Sequence, residues 1–377
     1  MKIGRWGWLA MAIAPLMSGC SGFWNAPASS STTTTTTLSS GYFFLMDAAT
    51  DSIVSYYIDA GTLTLVSTTT LAASPLALTV APNGDFLFVS TTGGIYVYTI
   101  SSGVLTEGNS DSDITYDQAT AMSVDSSDSW LVESSASGML NAIPINSSTG
   151  AFDNSRSAQN VALSANAVNQ IAFSANNAFV FVASGSSGTY EYAFNRSSSS
   201  TPLGTSAANT ISLVGSAALA VAVDPADRLV YVTETAAVSS SGGLRAFTLN
   251  TSSGALSEIS GSPLSSGGTG PYAILPKSTE DYVYVANWAG TSTGNITGFS
   301  ITATSSSYAL TKLSSSVSTG IRPMALAEDS NKDFVLAASA GGGPYFDAYI
   351  FDTTTAGQLD NVVTSSAYAA SAVAALP

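Results

Sequence analysis

From Gly41 to the C-terminus, apolar and polar positions fall into one recurring unit. An apolar strand comes first, then a turn rich in Asp, Asn, Pro or Gly, then a second strand with a Val-rich alternation. A third strand follows, then a Ser/Thr/Gly turn and a weaker fourth strand. The clearest second strands are Phe86-Leu87-Phe88-Val89, Phe179-Val180-Phe181-Val182, Leu229-Val230-Tyr231-Val232 and Tyr282-Val283-Tyr284-Val285. Third strands run Ile53 to Ile58, Ile95 to Ile100, Leu140 to Ile145, Tyr190 to Phe194, Leu244 to Leu249, Ile296 to Ile301 and Ala348 to Phe351, seven in all. Several alternate apolar with small or polar residues, the period of two that a strand with unlike faces requires.

First strands supply an independent count. Their anchors Val80, Val124, Phe173, Val223, Leu275 and Ala327 stand 44 to 52 residues apart. A seventh first strand, Ala372 to Leu376, ends the chain with nothing after it to pair with. The N-terminal unit has the complementary defect: it begins at Tyr42-Phe43-Phe44-Leu45, a second strand with no first strand before it. The two defects cancel if the last strand completes the first unit, and closure of that kind leaves no long exposed edges. Four strands at a period of about 40–50 residues mark a propeller. The expected fold is therefore all-β: a seven-bladed β-propeller of four-stranded antiparallel blades over residues 41–377, its ring closed by the C-terminal strand joining the N-terminal blade.

The N-terminal 40 residues follow other rules. Lys2 and Arg5 precede the apolar stretch Trp6 to Met17, which at about a dozen residues is short for a membrane-spanning helix. Leu16-Met17-Ser18-Gly19-Cys20 resembles the lipobox of bacterial lipoproteins, which implies a signal peptide over 1–19, cleavage before Cys20 and lipidation of that residue. Ser21 after the Cys is no retention signal, so by the same resemblance an outer membrane is favoured. Residues 20–40, with the run Thr32 to Thr37, have no apolar periodicity and read as a disordered tether reaching on the order of 25 Å. The expected location is extracytoplasmic, on a lipid anchor.

Composition narrows the chemistry. Apolar residues make up 45% of the 377 and charged residues 9%, so the core is large and the polar surface is mostly hydroxyl. Acidic residues outnumber basic ones 25 to 10, for a formal net charge of −15. That field repels phosphate backbones, and nucleic acid is excluded as a partner. Histidine is absent, which removes Ser-His-Asp and Cys-His catalysis and every imidazole metal site. With Cys20 as the one cysteine, no intramolecular disulfide forms. Neither a metal nor a cofactor is expected, and the chain is expected to be a monomer. Asp329-Ser330-Asn331-Lys332-Asp333 imitates an EF-hand loop but has Phe334 and Ala340 where that loop needs Gly and Glu, so it reads as a turn. Asp111-Ser112-Asp113, with Asp117, reads as a solvated acidic loop with at most weak affinity for a cation.

Connections between second and third strands are uneven. They are short near Thr91–Gly94, Ser134–Gly138 and Ser184–Gly188, and lengthen to about ten residues at Glu234–Gly243, Asn287–Asn295 and Ser339–Asp347. Propeller topology puts these on one face, so the long ones, carrying Trp288, Tyr345 and Phe346, cluster on one sector. Aromatics on rigidly mounted loops suit sugar or peptide binding.

Val283-Tyr284-Val285-Ala286-Asn287, with Ile296-Thr297-Gly298-Phe299-Ser300-Ile301 after it, resembles the lactonase-like, YVTN-type seven-bladed propellers. So do Ala81-Pro82-Asn83-Gly84 and Asp224-Pro225-Ala226-Asp227. The resemblance implies catalytic candidates at Glu234, after the second strand Leu229 to Thr233, and at Arg322, which with Pro323 stands where the family has a Pro-Arg-His segment. The family's His is missing, and Tyr272-Ala273 replaces an Arg-His pair. Two functions are open at this level. The leading one is a membrane-tethered, non-catalytic binding or scaffold module for a glycan or protein ligand. The other is a hydrolase of sugar lactones, of the 6-phosphogluconolactonase type, with a degenerate, His-free site.

Overall fold

The computed structural model describes residues 40–108, 118–135, 137–163, 168–211, 215–238, 241–279, 281–290, 292–305 and 307–377. The leader, Cys20, the tether and the acidic run Asp111–Asp117 lie outside the described residues. Among those described, no helix is long and apolar enough to cross a membrane.

Second strands such as Phe86–Thr91, Trp130–Ser135 and Phe179–Ala183 are buried along their whole length. A strand covered on both faces reads as a continuous apolar run, which is why these stretches stand out in the sequence. Fourth strands lie at the rim and are mostly exposed, as in Thr62–Thr70. Burial thus follows radius within each blade.

The strands pair as antiparallel four-stranded blades. Inner strands are Ala370–Ala375 in the first blade and Pro75–Val80, Ala119–Val124, Gln170–Phe173, Ala218–Val223 and Gly270–Pro276 in the second to sixth. The seventh has no separate inner strand. Tyr308–Glu328 forms the outer strand of the sixth blade, against Ser292–Ala303, and beyond Ile321 becomes the inner strand of the seventh, against Phe334–Gly342. Two blades are thereby joined into one seven-stranded sheet.

The ring closes as the two incomplete ends require. Phe43, Phe44, Leu45 and Met46 pair with Ala375, Ala374, Val373 and Ala372. Inter-blade packing gives the same answer. Apolar clusters lie between every adjacent pair of blades, including the first and seventh, where Phe43 stacks on Phe346 at 4.8 Å between ring centroids. Each fully buried Phe contributes about 1.5–3 kcal/mol, so ring closure is carried largely by these seven interfaces.

Turns between first and second strands lock one blade to the next. Asp128, Asn177 and Asp227 have φ of 52°, 55° and 57°, a region that Asn and Asp tolerate better than most residues. Each reaches back to the preceding blade. Asp128 accepts from Asn83 N at 3.2 Å, Asn177 from Ser126 N at 2.9 Å and Asp227 from Asn176 N at 2.8 Å. Asp329 instead closes its own turn, its Oδ1 accepting from Asp333 N at 2.8 Å and Phe334 N at 2.6 Å.

The long second-to-third connections differ from expectation. In the fifth and sixth blades the strands continue as paired hairpins, out to Val238↔Ser241 and Ala289↔Ser292. In the fifth blade Thr235 N and Ala236 N bond instead to Ala217 O and Ser216 Oγ, ahead of the inner strand.

Candidate functional site: the channel mouth

Register places the start of each inner strand beside the end of its second strand: Pro75↔Thr91, Ala218↔Glu234, Gly270↔Trp288, Pro323↔Ser339. All lie on the face that carries the elongated hairpins. Inside them runs a central cavity of about 300 Å³, lined by inner strands of the first, second, third, fourth, sixth and seventh blades.

A repeated irregularity sets what that cavity sees. In six blades the first-to-second-strand ladder skips one residue at the same place: Leu76, Thr120, Leu219, Tyr272, Met324 and Ser371. Each is a β-bulge, which re-aims a side chain, and all but Leu219 line the cavity. The flanking residues are uniform: Pro75 and Ala77, Ala119 and Ala121, Ala218 and Ala220, Pro271 and Ala273, Pro323 and Ala325, Ala370 and Ala372. Small or ring-locked neighbours let the inner strands approach the axis while the middle residue varies. This Pro/Ala-X-Ala frame was readable in the sequence, but the changing middle residue hides it from a search for shared chemistry.

Among the described residues no charged side chain lines the cavity. Its polar groups are Thr120, Asn169, Gln170, Tyr272 and Ser371. Thr120 donates to Val168 O at 3.0 Å, Ser371 to Met46 O at 3.2 Å and Asn169 to Ala218 O at 2.9 Å. Gln170 Oε1 accepts from Val221 N at 3.3 Å.

Arg322 supplies positive charge at the rim. Its side chain is exposed, and its guanidinium lies 5.5 Å from the Trp288 ring and 5.9 Å from the Tyr272 ring. The two rings are 5.9 Å apart and tilted by 50°. These are cation–π distances. No carboxylate pairs with Arg322 among the described residues. Its φ of 60° is uncommon for a residue with a Cβ, and Pro323 follows it. Trp288 Nε1 is buried without a hydrogen-bond partner. The mouth therefore offers a cation and two aromatic faces.

Glu234 does not face the channel. It is 1% exposed and bonded to Arg245 Nε at 2.6 Å, and Arg245 also holds Glu258 at 2.7 Å. Period-two alternation explains the correction: Val230 and Val232 point into the interface with the fourth blade, and Glu234 continues that row. The two catalytic candidates are not brought together: Glu234 pairs with Arg245, and Arg322 lies over two rings. Of the three loop aromatics, Trp288 alone belongs to this mouth. Phe346, expected on an exposed loop, is instead buried at 1% exposure against Phe43. Tyr345 is half-buried against the same cluster of the first and seventh blades.

Two carboxyls are pushed up to about 6 by burial. Asp347 is partly compensated by hydrogen bonds from Gly320 and Asn361, Glu191 by one from Asn209. Both lie in blade interfaces away from the cavity lining. Among the described residues no group of three or more His, Cys, Asp or Glu is placed to hold a metal ion.

Residues 228–368 match the family model described as Lactonase, 7-bladed beta-propeller. No curated protein matches the chain. Among solved structures it is similar to a candidate 6-phosphogluconolactonase from Bacteroides uniformis, with a TM-score of 0.71 at 14% identity over 90% of this chain and 100% of that one. A Lactobacillus plantarum protein follows with a TM-score of 0.68 at 17% identity, over the same shares of both chains. Kuenenia stuttgartiensis hydrazine synthase is also similar, with a TM-score of 0.55 at 13% identity over 78% of this chain and 91% of that one. At such identities likeness speaks for the fold, and function is argued from the site. Residues 228–368 thus match the lactonase seven-bladed β-propeller model, and the chain as a whole has the fold of a seven-bladed β-propeller.

Proposed function

We propose that this propeller is a lactonase-type protein that receives a sugar lactone, or the hydroxy acid it opens to, at the channel mouth. The observation that carries the reading is Arg322: a cation stacked on Tyr272 and Trp288, committed to no carboxylate, above a neutral cavity. Aromatic faces suit the C–H surface of a sugar ring, while the amide of Gln170 and the channel hydroxyls suit its OH groups. Arg322 meets the carbonyl oxygen of the lactone or the carboxylate of the opened acid.

Hydrolysis adds water to the carbonyl, passes through a tetrahedral oxyanion and breaks the ring C–O bond, with the proton passing to the released hydroxyl. Arg322 stabilises the oxyanion, and one such donor is worth roughly 10²–10³ in rate. The chain has no imidazole and the described lining of the cavity no carboxylate, so water itself takes the proton. The rate gain is accordingly confined to that single effect.

Opening of glucono-δ-lactone and 6-phosphogluconolactone, followed against the spontaneous rate, tests this. Turnover above background that disappears in Arg322→Gln supports the proposal. Wild-type turnover at background would overturn hydrolysis; gluconate binding that still depends on Arg322 would then make the chain a non-catalytic binding module, the reading favoured by the absence of a base. As part of the same proposal, Cys20 is the lipid-anchor site that holds the propeller to a bacterial membrane. Fatty-acid labelling that persists in Cys20→Ala would remove that part.

A further inference from the structure

We propose that Asp347 is the positioning residue of the channel mouth, holding the chain segment Ser318–Ile321 in the conformation that presents Arg322 to the aromatic pair. This segment is the passage from the sixth blade to the seventh, within the continuous strand Tyr308–Glu328. Two side chains of the neighbouring strand Phe346–Phe351 pin it. Asp347 Oδ2 accepts from Gly320 N at 3.2 Å, and Tyr349 OH donates to Ser318 O at 2.6 Å. A third restraint is steric: a Cβ on Gly320 would lie 1.7 Å from Pro344 O. Two residues beyond Gly320 stands Arg322, in its left-handed conformation. A residue strained in this way persists where its surroundings over-determine it. The pins on Ser318 and Gly320 supply that determination on one side, and buried Pro323 supplies it on the other.

Asp347 is the titratable member of the clamp. Its other oxygen accepts from Asn361 Nδ2 at 3.4 Å. Of the groups packed around it, the Tyr349 phenol is pushed far above its ordinary range by burial and stays neutral. Tyr284, from the sixth blade in the same interface, is likewise raised and spends its hydroxyl on Gly357 O. The charged residue on the clamped segment, Arg322, carries its guanidinium out over Trp288 and Tyr272. Burial disfavours the charged form of Asp347 in the clamped state, so raising the pH through about 6 loosens the passage, and the Arg322 stacking weakens with it.

The absence of histidine makes the test specific. Asp347 and Glu191 are the described carboxyls pushed up to about 6, while burial also raises those of Asp128 and Asp329 in the turns at the opposite ends of the inner strands; Glu191 sits in the interface of the fourth and fifth blades. Tryptophan emission of the full chain is followed from pH 4.5 to 8, with the Trp288 contribution taken as the difference from Trp288→Phe. The expected result is a one-proton transition in Trp288 emission with its midpoint near 6. Asp347→Asn, which keeps the acceptor for Gly320 and removes the titration, is expected to abolish the transition, and Glu191→Gln to leave it in place. A wild type without the transition, an Asp347→Asn chain that retains it, or its loss in Glu191→Gln would each overturn the proposal. Ring opening does not enter the readout, so a chain with no lactonase turnover can still pass this test.

Discussion

Arg322 begins the inner strand of the seventh blade and Trp288 ends the second strand of the sixth, yet the guanidinium of one lies 5.5 Å from the ring of the other. Neither blade makes this contact alone. It exists because the continuous strand Tyr308–Glu328 carries the chain from the rim of one blade to the axis of the next. It also has a measurable backbone counterpart in the left-handed φ of Arg322.

Arg322→Gly is expected to separate binding from stability. Glycine relieves the left-handed strain, worth roughly 1–2 kcal/mol, against an entropic loss of roughly 0.5–1 kcal/mol. Urea unfolding should show no loss and up to about 1 kcal/mol of gain. Gluconate affinity measured by calorimetry should fall about tenfold or more, the share of a charge-assisted hydrogen bond. A destabilised variant with intact affinity would contradict both parts.

Glu234→Gln tests the reassignment of that carboxylate. Arg245, 23% exposed, would lose its buried partner and keep Glu258. Removing one member of a buried pair is strongly destabilising, and allowance for the exposed edge of Arg245 leaves about 2 kcal/mol. The melting temperature should drop while gluconate affinity and any ring-opening rate per folded molecule stay within about twofold. A selective loss of turnover would return Glu234 to the active site.

The raised carboxyls predict the pH dependence of stability. Asp347 goes from 3.8 to about 6 and Glu191 from 4.5 to about 6 on folding. The folded state holds these protons more tightly, so the contribution to stability is full below the unfolded values and is lost as pH rises through 6. Asp347→Asn should therefore stabilise at pH 7 by up to about 3 kcal/mol and Glu191→Gln by up to about 2 kcal/mol, with no gain at pH 3.5. Urea titrations at the two pH values measure this. A variant equally stabilised at both would mean its carboxyl is not raised.

The bulge ring predicts opposite tolerance at adjacent positions. Leu76→Gln and Met324→Gln place a polar group in an open channel and should change stability by no more than about 0.5 kcal/mol. Ala220→Leu, at a fully buried flanking site, should cost about 1–3 kcal/mol by overpacking. Thermal melts of the three variants decide it, and equal losses at both kinds of position would mean the bulged residues belong to the core.

The period of two in the strands, their spacing and the complementary incompleteness of the two chain ends are enough to count seven blades and to set the strand at Tyr42–Leu45 beside the final strand; the register, Phe43–Met46 against Ala375–Ala372, comes from the structure. Those features are local or additive along the chain, and burial on both faces of the second strands follows from them. Alternation names two faces, however, without saying which neighbour covers each. The partner of Glu234, which is Arg245, and that of Phe346, which is Phe43, are therefore decided by strand pairing and blade packing. A bulge shifts the alternation by one residue and exists through pairing with another strand, so the direction of Tyr272 or Met324 is a property of the assembled blade. The meeting of Arg322, Tyr272 and Trp288 is decided later still, by the packing of one blade against the next.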